Sequence, residues 1–193
     1  MNPQRQLPQS ESIESDESIM ARVRDGDSAQ LSILFERHGE RLYRYCWRMN
    51  QDSRLSEDLV QEAFCRMLRF RSSFKEGHGF QAWMYSITRN LQMDHWRKKR
   101  FEAEWEEGYD APAPPGDLFE GKQEAALLHE ALSRLSPSKR EILIMARFEE
   151  MPHEKIAEIL GCEPGSARVR LHRAIASLRE TYLNLLNERK SSS

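Results

Sequence analysis

A group of polar and basic residues lies near the carboxyl end of the chain, just after a turn that contains glycine. The sequence predicts a short apolar helix that ends at Gly161, then a long helix from about residue 165 to residue 186. Arginine can bind a guanine edge through two hydrogen bonds, and hydroxyl or imidazole groups can contact phosphates or base edges. The residues predicted to bind DNA are Ser166, Arg168, Val169, Arg170, His172 and Arg173.

The angular positions on this long helix, at 100° per residue, separate that polar side from a buried side. Arg168 lies at the flank, where a long side chain still reaches outward. The charges could simply solvate an amphipathic helix, but the short helix and turn before it favour a helix-turn-helix whose second helix enters the major groove. The residues predicted to be buried are Ala167, Leu171, Ala174, Ile175 and Leu178.

A second candidate lies on a helix predicted from about residue 80 to residue 99. Tyr85, Arg89, Gln92 and Trp96 are spaced four, three and four apart, and they lie opposite the apolar stripe of the same helix. Aromatic side chains away from a core could stack on unpaired bases, with arginine binding the backbone. They could equally pack against another helix, and the basic run at residues 97–100 could be a favourable helix C-terminus. The spacing leaves both interpretations open.

A third candidate is an acidic and amide face on the preceding helix. This helix is predicted to begin at Ser56 as its N-cap. Asp58, Gln61 and Glu62 are spaced i, i+3 and i+4, so they share one face, opposite a stripe of buried apolar residues. We expect this face to bind a positively charged partner.

The sequence offers no catalytic site. His153-Glu154 begins like the zinc motif HExxH, but the second histidine position is occupied by Ala157. Gly77-His-Gly79 is too short for a phosphate-binding loop and has no GK[ST] after it. Three widely spaced cysteines suggest neither a disulfide framework nor a CxxC site. We therefore predict no enzyme activity, no metal and no cofactor.

The elements that position these residues are helices in two blocks, because apolar residues recur at steps of three and four and no long alternation indicates a strand. Residues 29–100 carry 14 basic and 8 acidic side chains, whereas residues 101–124 carry 1 and 8. The predicted fold class is all-α, with two small helical domains joined by a flexible acidic, proline-rich linker. The predicted boundaries are a disordered N-terminus at 1–19, domains at 20–100 and 124–187, the linker at 101–123 and a disordered tail at 188–193.

Hydropathy excludes a membrane-spanning segment, because the longest aliphatic run, at residues 142–146, is far below the roughly 20 residues that spanning needs. The first 18 residues are polar and give no secretory signal. We therefore predict a cytoplasmic protein without membrane insertion.

Five motifs in this order resemble one known family. They are DLVQEAF at residues 58–64, FQAWMYSITRN at 80–90, LSP at 135–137, IAEILG at 156–161 and RVRLHR at 168–173. Together they are similar to the extracytoplasmic-function (ECF, group IV) sigma factors of bacterial RNA polymerase, over about residues 20–185. Motifs in order across two blocks are far more specific than one helix-turn-helix.

The resemblance implies a role for each block. The first block would be sigma region 2, which binds the β′ clamp helices of core RNA polymerase through Asp58, Gln61 and Glu62 and melts the −10 element. The loop at residues 72–79 with Asn90 would hold a flipped base, supported by Trp83. The second block would be region 4, which contacts the β flap and reads the −35 element. The residues implied at the −10 element are Ser73, Lys75, His78, Trp83, Tyr85, Asn90 and Arg97.

The resemblance also implies regulation and location. An anti-sigma factor is a common partner in the family, and the linker would thread toward the polymerase active site. The protein would associate with the nucleoid through the polymerase and promoter DNA. Val169 stands where the family often has a small polar residue, which permits contact with a thymine methyl group.

Two other functions remain open at this point. One is a stand-alone helix-turn-helix regulator whose first block dimerises, although reading duplex DNA requires no strand-stacking aromatics. The other is a helical nucleic-acid enzyme, which would need a carboxylate cluster or metal site that the sequence does not suggest.

Overall fold

A computed structural model describes residues 14–75, 77, 79–103 and 123–191, and within those ranges all regular structure is helical. The predicted all-α fold is confirmed. Most of the predicted linker, together with His78 of the predicted −10 site, lies outside the described residues.

The first block contains four α-helices. They are α1 (Asp16–Arg24), α2 (Leu31–Asn50), α3 (Ser53–Arg69) and α4 (Phe80–Ala103), with short 3₁₀ turns before α2 and after α3. Apolar stripes on these helices form the core of this block, in which Leu42, Met49, Met67 and Met84 are fully buried.

The start of α3 differs from the prediction. The N-cap is Asp52, whose carboxylate accepts a hydrogen bond from the Leu55 amide at 2.9 Å. Ser56 lies inside the helix, is buried, and donates its hydroxyl to the Asp52 carbonyl at 2.6 Å. Both side chains are good N-caps, and the earlier one is used because it lets Leu55 join the packed face.

The first helix also begins earlier than the predicted domain boundary at residue 20. Ser15 caps α1 by accepting the Ser18 amide at 3.2 Å. Ile19, Met20 and Val23 are fully buried in the core. Three apolar residues in a short, otherwise polar stretch give too weak a period to reveal a helix from sequence.

The second block contains α5 (Gln123–Ser133), α6 (Pro137–Arg147), α7 (His153–Leu160) and α8 (Pro164–Ser191). Ser136 is the N-cap of α6 and Pro137 is its first residue, a position where the missing N–H of proline costs no hydrogen bond. The last helix continues past the predicted boundary at residue 187, and Arg189 in this part pairs with Glu130 of α5 at 3.0 Å.

The two blocks pack against each other in the described structure. Helix α6 contacts α2, and helix α7 contacts α4. One core cluster therefore includes residues from both blocks. Among the described residues, no helix is both long enough and apolar enough to cross a bilayer.

Candidate nucleic-acid interfaces

The helix-turn-helix is built from α7, a tight turn and the first half of α8. Gly161 ends α7 in the left-handed region, at φ 63°, where glycine carries no Cβ penalty. The next amide, that of Cys162, donates to the Ala157 carbonyl at 3.0 Å, which closes a Schellman turn. Ala167, Leu171 and other small or apolar residues of α8 then pack in the core. The turn therefore fixes the direction of α8 against α7.

The polar side of α8 is free to meet a ligand. All six residues predicted to contact the −35 element are exposed, and Val169 is exposed by 50%. Ile175 was predicted to be buried, and that prediction is wrong because the side chain is 37% exposed. Its position lies at the edge of the packed stripe of α8. The six exposed residues are Ser166, Arg168, Val169, Arg170, His172 and Arg173.

The loop before α4 is anchored by an aromatic pair. Phe74 is 3% exposed and packs edge-to-face on Trp83, with ring centroids 5.3 Å apart. Ser73 and Lys75, which flank Phe74, are exposed, and Asn90 is exposed two turns along α4 from Trp83. Sequence reasoning missed Phe74, although a large aromatic residue between two polar ones is a usable sign of an anchored loop.

Arg97 lies on the exposed side of α4, near its carboxyl end. Its guanidinium pairs with Asp94 at 2.5 Å, and Asp94 also lies 3.7 Å from Arg66 of α3. The Arg97 side chain is 78% exposed, so this pair leaves it accessible to a DNA backbone.

The aromatic stripe of α4 packs against other helices in this structure, which is one of the two interpretations that its spacing left open. Tyr85 is fully buried, and Gln92 is 1% exposed and donates to the sulfur of Cys46 at 3.5 Å. Trp96 donates its indole N–H to Asn50 at 3.1 Å. A helix in the middle of a bundle buries two faces, and here the second face of α4 packs against α2 and the second block.

Glu149, in the turn after α6, contacts three side chains of the first block. Its side chain is 1% exposed and lies 2.7 Å from Arg41 and 3.8 Å from Arg48, both on α2. Tyr85 donates its hydroxyl to the same carboxylate at 2.7 Å. Burial, the largest cause, raises the pKa of Tyr85, and the Glu149 charge raises it further. The tyrosine therefore stays a hydrogen-bond donor.

Glu141 on α6 forms a second buried contact. Its carboxylate lies 3.1 Å from Arg89 of α4 and accepts a hydrogen bond from Tyr45 of α2 at 3.4 Å. Burial raises the pKa of Glu141, while the pairing with Arg89 opposes that shift. A carboxylate at 2% exposure is tolerated because both partners hydrogen-bond to it.

Other polar contacts surround this centre. Arg140 of α6 donates to the Met49 carbonyl at the end of α2, at 2.5 Å. Lys155 of α7 donates to Gln81 of α4 at 2.9 Å. Gln51 donates to the His129 carbonyl at 3.3 Å. Sequence reasoning could not find this interface, because its residues are polar and have the spacing of an ordinary solvated face.

The acidic face of α3 is accessible. Asp58 and Gln61 are exposed, and Glu62 is half-buried with an ion pair to Arg66 at 3.0 Å. Cys65 is exposed on the same face, one turn after Gln61 and Glu62. Sequence reasoning did not include Cys65, because it considered cysteines only as a disulfide or metal set.

The described residues contain no group of three or more histidine, cysteine or acidic side chains placed to hold a metal ion. The polar groups that cluster between the blocks are arginine, tyrosine and glutamate, which form ion pairs and hydrogen bonds rather than a metal site.

Two family descriptions match the chain, in the order of its two blocks. Residues 34–102 match Sigma-70 region 2, and residues 125–178 match Sigma-70, region 4. The first range covers most of α2 to α4, and the second runs from α5 into α8.

Curated relatives share about a third of the sequence. The RNA polymerase sigma factor CarQ of Myxococcus xanthus is 31% identical over 163 residues, which is 83% of this chain and 94% of CarQ. The ECF RNA polymerase sigma factor SigE of Mycolicibacterium smegmatis is 32% identical over 177 residues, or 86% of this chain and 68% of SigE.

Solved structures share the fold. The sigma factor RpoE in complex with the anti-sigma factor NepR from Bartonella quintana superposes with a TM-score of 0.69 at 24% identity, covering 78% of this chain and 94% of that one. CnrH in complex with the cytosolic domain of CnrY gives 0.67 at 21% identity, covering 86% and 96%.

Proposed function

Since the chain belongs to the extracytoplasmic-function (ECF) sigma factors of the sigma-70 family, we propose that it directs core RNA polymerase to promoters. In this role it binds the core enzyme, recognises the −35 and −10 elements and opens the DNA for initiation. The family matches favour this function over a stand-alone regulator, because they cover both blocks rather than the helix-turn-helix alone.

The first block acts as region 2. Its α3 face, with Asp58, Gln61 and Glu62, binds the β′ clamp helices. The loop anchored by Phe74, with exposed Ser73, Lys75 and Asn90, holds an unpaired base of the −10 element. Trp83 supports the loop through its contact with Phe74, and Arg97 binds the strand backbone. His78 belongs to the same proposed set.

The second block acts as region 4. The exposed polar side of α8 reads the −35 element, and the block contacts the β flap. We assign region 2 to about residues 16–103 and region 4 to about residues 123–191, with the residues between them as the linker.

The chain also has a protein regulator in this proposal. The two related structures hold their sigma factors with an anti-sigma factor or with the cytosolic domain of CnrY. We propose that this chain is held inactive by a comparable anti-sigma factor and works in the cytoplasm, on the nucleoid. It assists a polymerase and carries out no catalysis of its own.

The observation that supports this function best is the presence of region 2 and region 4 matches on two successive helical blocks. The test reverses charge on α3, in the double variant Asp58→Lys, Glu62→Lys. Both positions lie on the polar side, so the fold should survive, since surface changes usually alter stability by about 0.5 kcal/mol or less. Binding to core polymerase should be lost through like-charge contact.

The measurement is a pull-down with core enzyme, beside circular dichroism of the free variant and transcription from a promoter. The matched control is Glu36→Lys, Glu40→Lys, which reverses two exposed charges on α2. A folded α3 variant that still bound core would refute the interface. A wild-type chain unable to bind core would refute the function.

A further inference from the structure

At the contact between the blocks, two residues of the second block lie on the first block in the way that a nucleotide lies on a protein surface. Phe148 and Glu149 are adjacent in the second block, and they present an aromatic ring followed by an anion. The guanidinium of Arg48 lies over the Phe148 ring, 4.6 Å from its centroid. Arg41 binds the Glu149 carboxylate at 2.7 Å. A base stacks on arginine as this ring does, and a phosphate accepts from arginine as this carboxylate does.

The face of the first block beneath them has the composition of a single-strand site. It contains Arg41, Tyr45 and Arg48 on α2, beside Tyr85 and Arg89 on α4. The rings of Tyr45 and Tyr85 meet edge-to-face, with centroids 5.0 Å apart. Proteins that bind single strands combine such cations, which follow the backbone, with aromatic rings on which bases stack.

The second block does not supply a hydrogen-bond acceptor for every donor on this face. Among the described residues, the Nε of Arg48 is buried without a hydrogen-bond partner. The Arg48 guanidinium reaches Glu149 only at 3.8 Å, longer than a hydrogen bond. An internucleotide phosphate has one negative charge and two non-bridging oxygens, as the Glu149 carboxylate has, so it can take the place of this carboxylate between the two arginines.

We propose that Arg41, Arg48 and Tyr85 form a site on region 2 for a nucleotide of single-stranded promoter DNA, and that Phe148 and Glu149 occupy this site in the free chain. The inference rests on the proposed function, because only a protein that melts DNA meets unpaired strands. It extends the strand-binding surface from the α4 loop to α2. It also makes region 4 a competitor of DNA within the same chain.

A masked site has a predictable thermodynamic signature. The apparent affinity of a ligand is reduced by the fraction of molecules in which its site is open. Minor states are commonly populated at about 0.1–10%, so unmasking should raise the affinity about tenfold or more. Removal of the Glu149 carboxylate, which binds Arg41, by Glu149→Gln should therefore open the blocks and strengthen DNA binding.

The experiment uses the full chain and a fluorescent single-stranded oligonucleotide of mixed sequence, followed by anisotropy. The opened variant should bind at least tenfold more tightly than the wild type. The control Glu180→Gln makes the same change in net charge at an exposed position on α8. This control should gain much less affinity for the oligonucleotide, because it changes only the overall electrostatic field of the protein.

A second comparison tests the site itself. In the opened background, Arg41→Ala with Arg48→Ala should remove most of the gained affinity. Arg44→Ala with Arg54→Ala removes two exposed cations of the same block, and it should remove much less. Equal losses in the two pairs would overturn the site, because they would show attraction to overall charge only.

Opening is measured separately, through spin labels on Cys65 of the first block and Cys162 of the second. Burial raises the pKa of Cys46 to about 12, so this third thiol is protected from labelling. The distance between labels should lengthen in the opened variant but not in its control. An unchanged distance, or a longer distance without tighter DNA binding, would overturn the inference. Promoter melting by the wild-type holoenzyme reports independently on the proposed function.

Discussion

At the scale of single residues, Arg168 carries the most specific prediction for the −35 element. It is exposed in the first turns of α8, where side chains reach base edges. Arg168→Ala should cost about 1–3 kcal/mol at the preferred −35 sequence and relax base preference there. Binding to a panel of −35 sequences at fixed salt measures this.

The control for Arg168 is Arg179→Ala, an exposed arginine three turns further along α8. It should leave base preference unchanged. If Arg168→Ala weakened every sequence equally and lowered the salt dependence, the side chain would contact phosphate rather than a base.

His129 gives a prediction for pH. It lies at the contact between the blocks, edge-to-face on Trp47 with centroids 5.6 Å apart. Burial, and then the charge of Arg48, lower the pKa of His129 below its ordinary 6.5. The open form therefore takes up a proton first as the pH falls through about 6.5, and the closed form loses relative stability below that pH.

The separation of the Cys65 and Cys162 labels should accordingly grow between about pH 7.5 and pH 5.5. His129→Gln should abolish that growth within this window, since glutamine does not titrate. Glu141 acts in the opposite direction nearer to the ordinary carboxyl pKa, because its raised pKa favours closure on acidification. An unchanged pH response in His129→Gln would assign the effect to another group.

At the scale of elements, α3 presents a face that can be tested by chemical modification. Cys65 is exposed and lies seven residues after Asp58, so it shares a face with the proposed polymerase contacts. Alkylation of Cys65 with a maleimide should block binding to core polymerase, because a bulky adduct projects from that face.

Cys65→Ser separates this effect from modification elsewhere. The serine variant should bind core before and after the same treatment, and circular dichroism should be unchanged by the adduct in the wild type. If the alkylated wild type bound core normally, the interface would not include this part of α3.

The helices themselves could be read largely from the sequence. Apolar steps of three and four located α3 and α4, and Gly161 marked the end of α7. Helix α1 was missed because its three core residues form too short a period. The role of the second face of α4 could not be decided from the sequence, because Tyr85 and Gln92 bury polar atoms, and only a partner from elsewhere in the chain makes that burial favourable.

At the scale of the whole molecule, the two blocks in contact are together too short to span the distance between the −35 and −10 elements of a promoter. A block of about 80 residues is roughly 30 Å across, so two blocks in contact span about 60 Å. The −35 and −10 elements are about 25 base pairs apart, or about 85 Å at 3.4 Å per pair. The blocks must therefore separate before region 2 and region 4 can bind their elements together.

This separation can be blocked reversibly. Lys155 of α7 and Gln81 of α4 contact each other across the blocks at 2.9 Å. Gln81→Cys with Lys155→Cys, in a background with Cys65→Ser and Cys162→Ser, can be joined by a short bis-maleimide that contains a disulfide. The joined chain should fail to support transcription from a promoter with both elements, and reduction of the linker should restore it. The same reagent on the background without the two new cysteines should have no effect. Transcription by the joined chain at the unjoined rate would show that the blocks need not separate at this contact, and the closed arrangement would then be compatible with initiation.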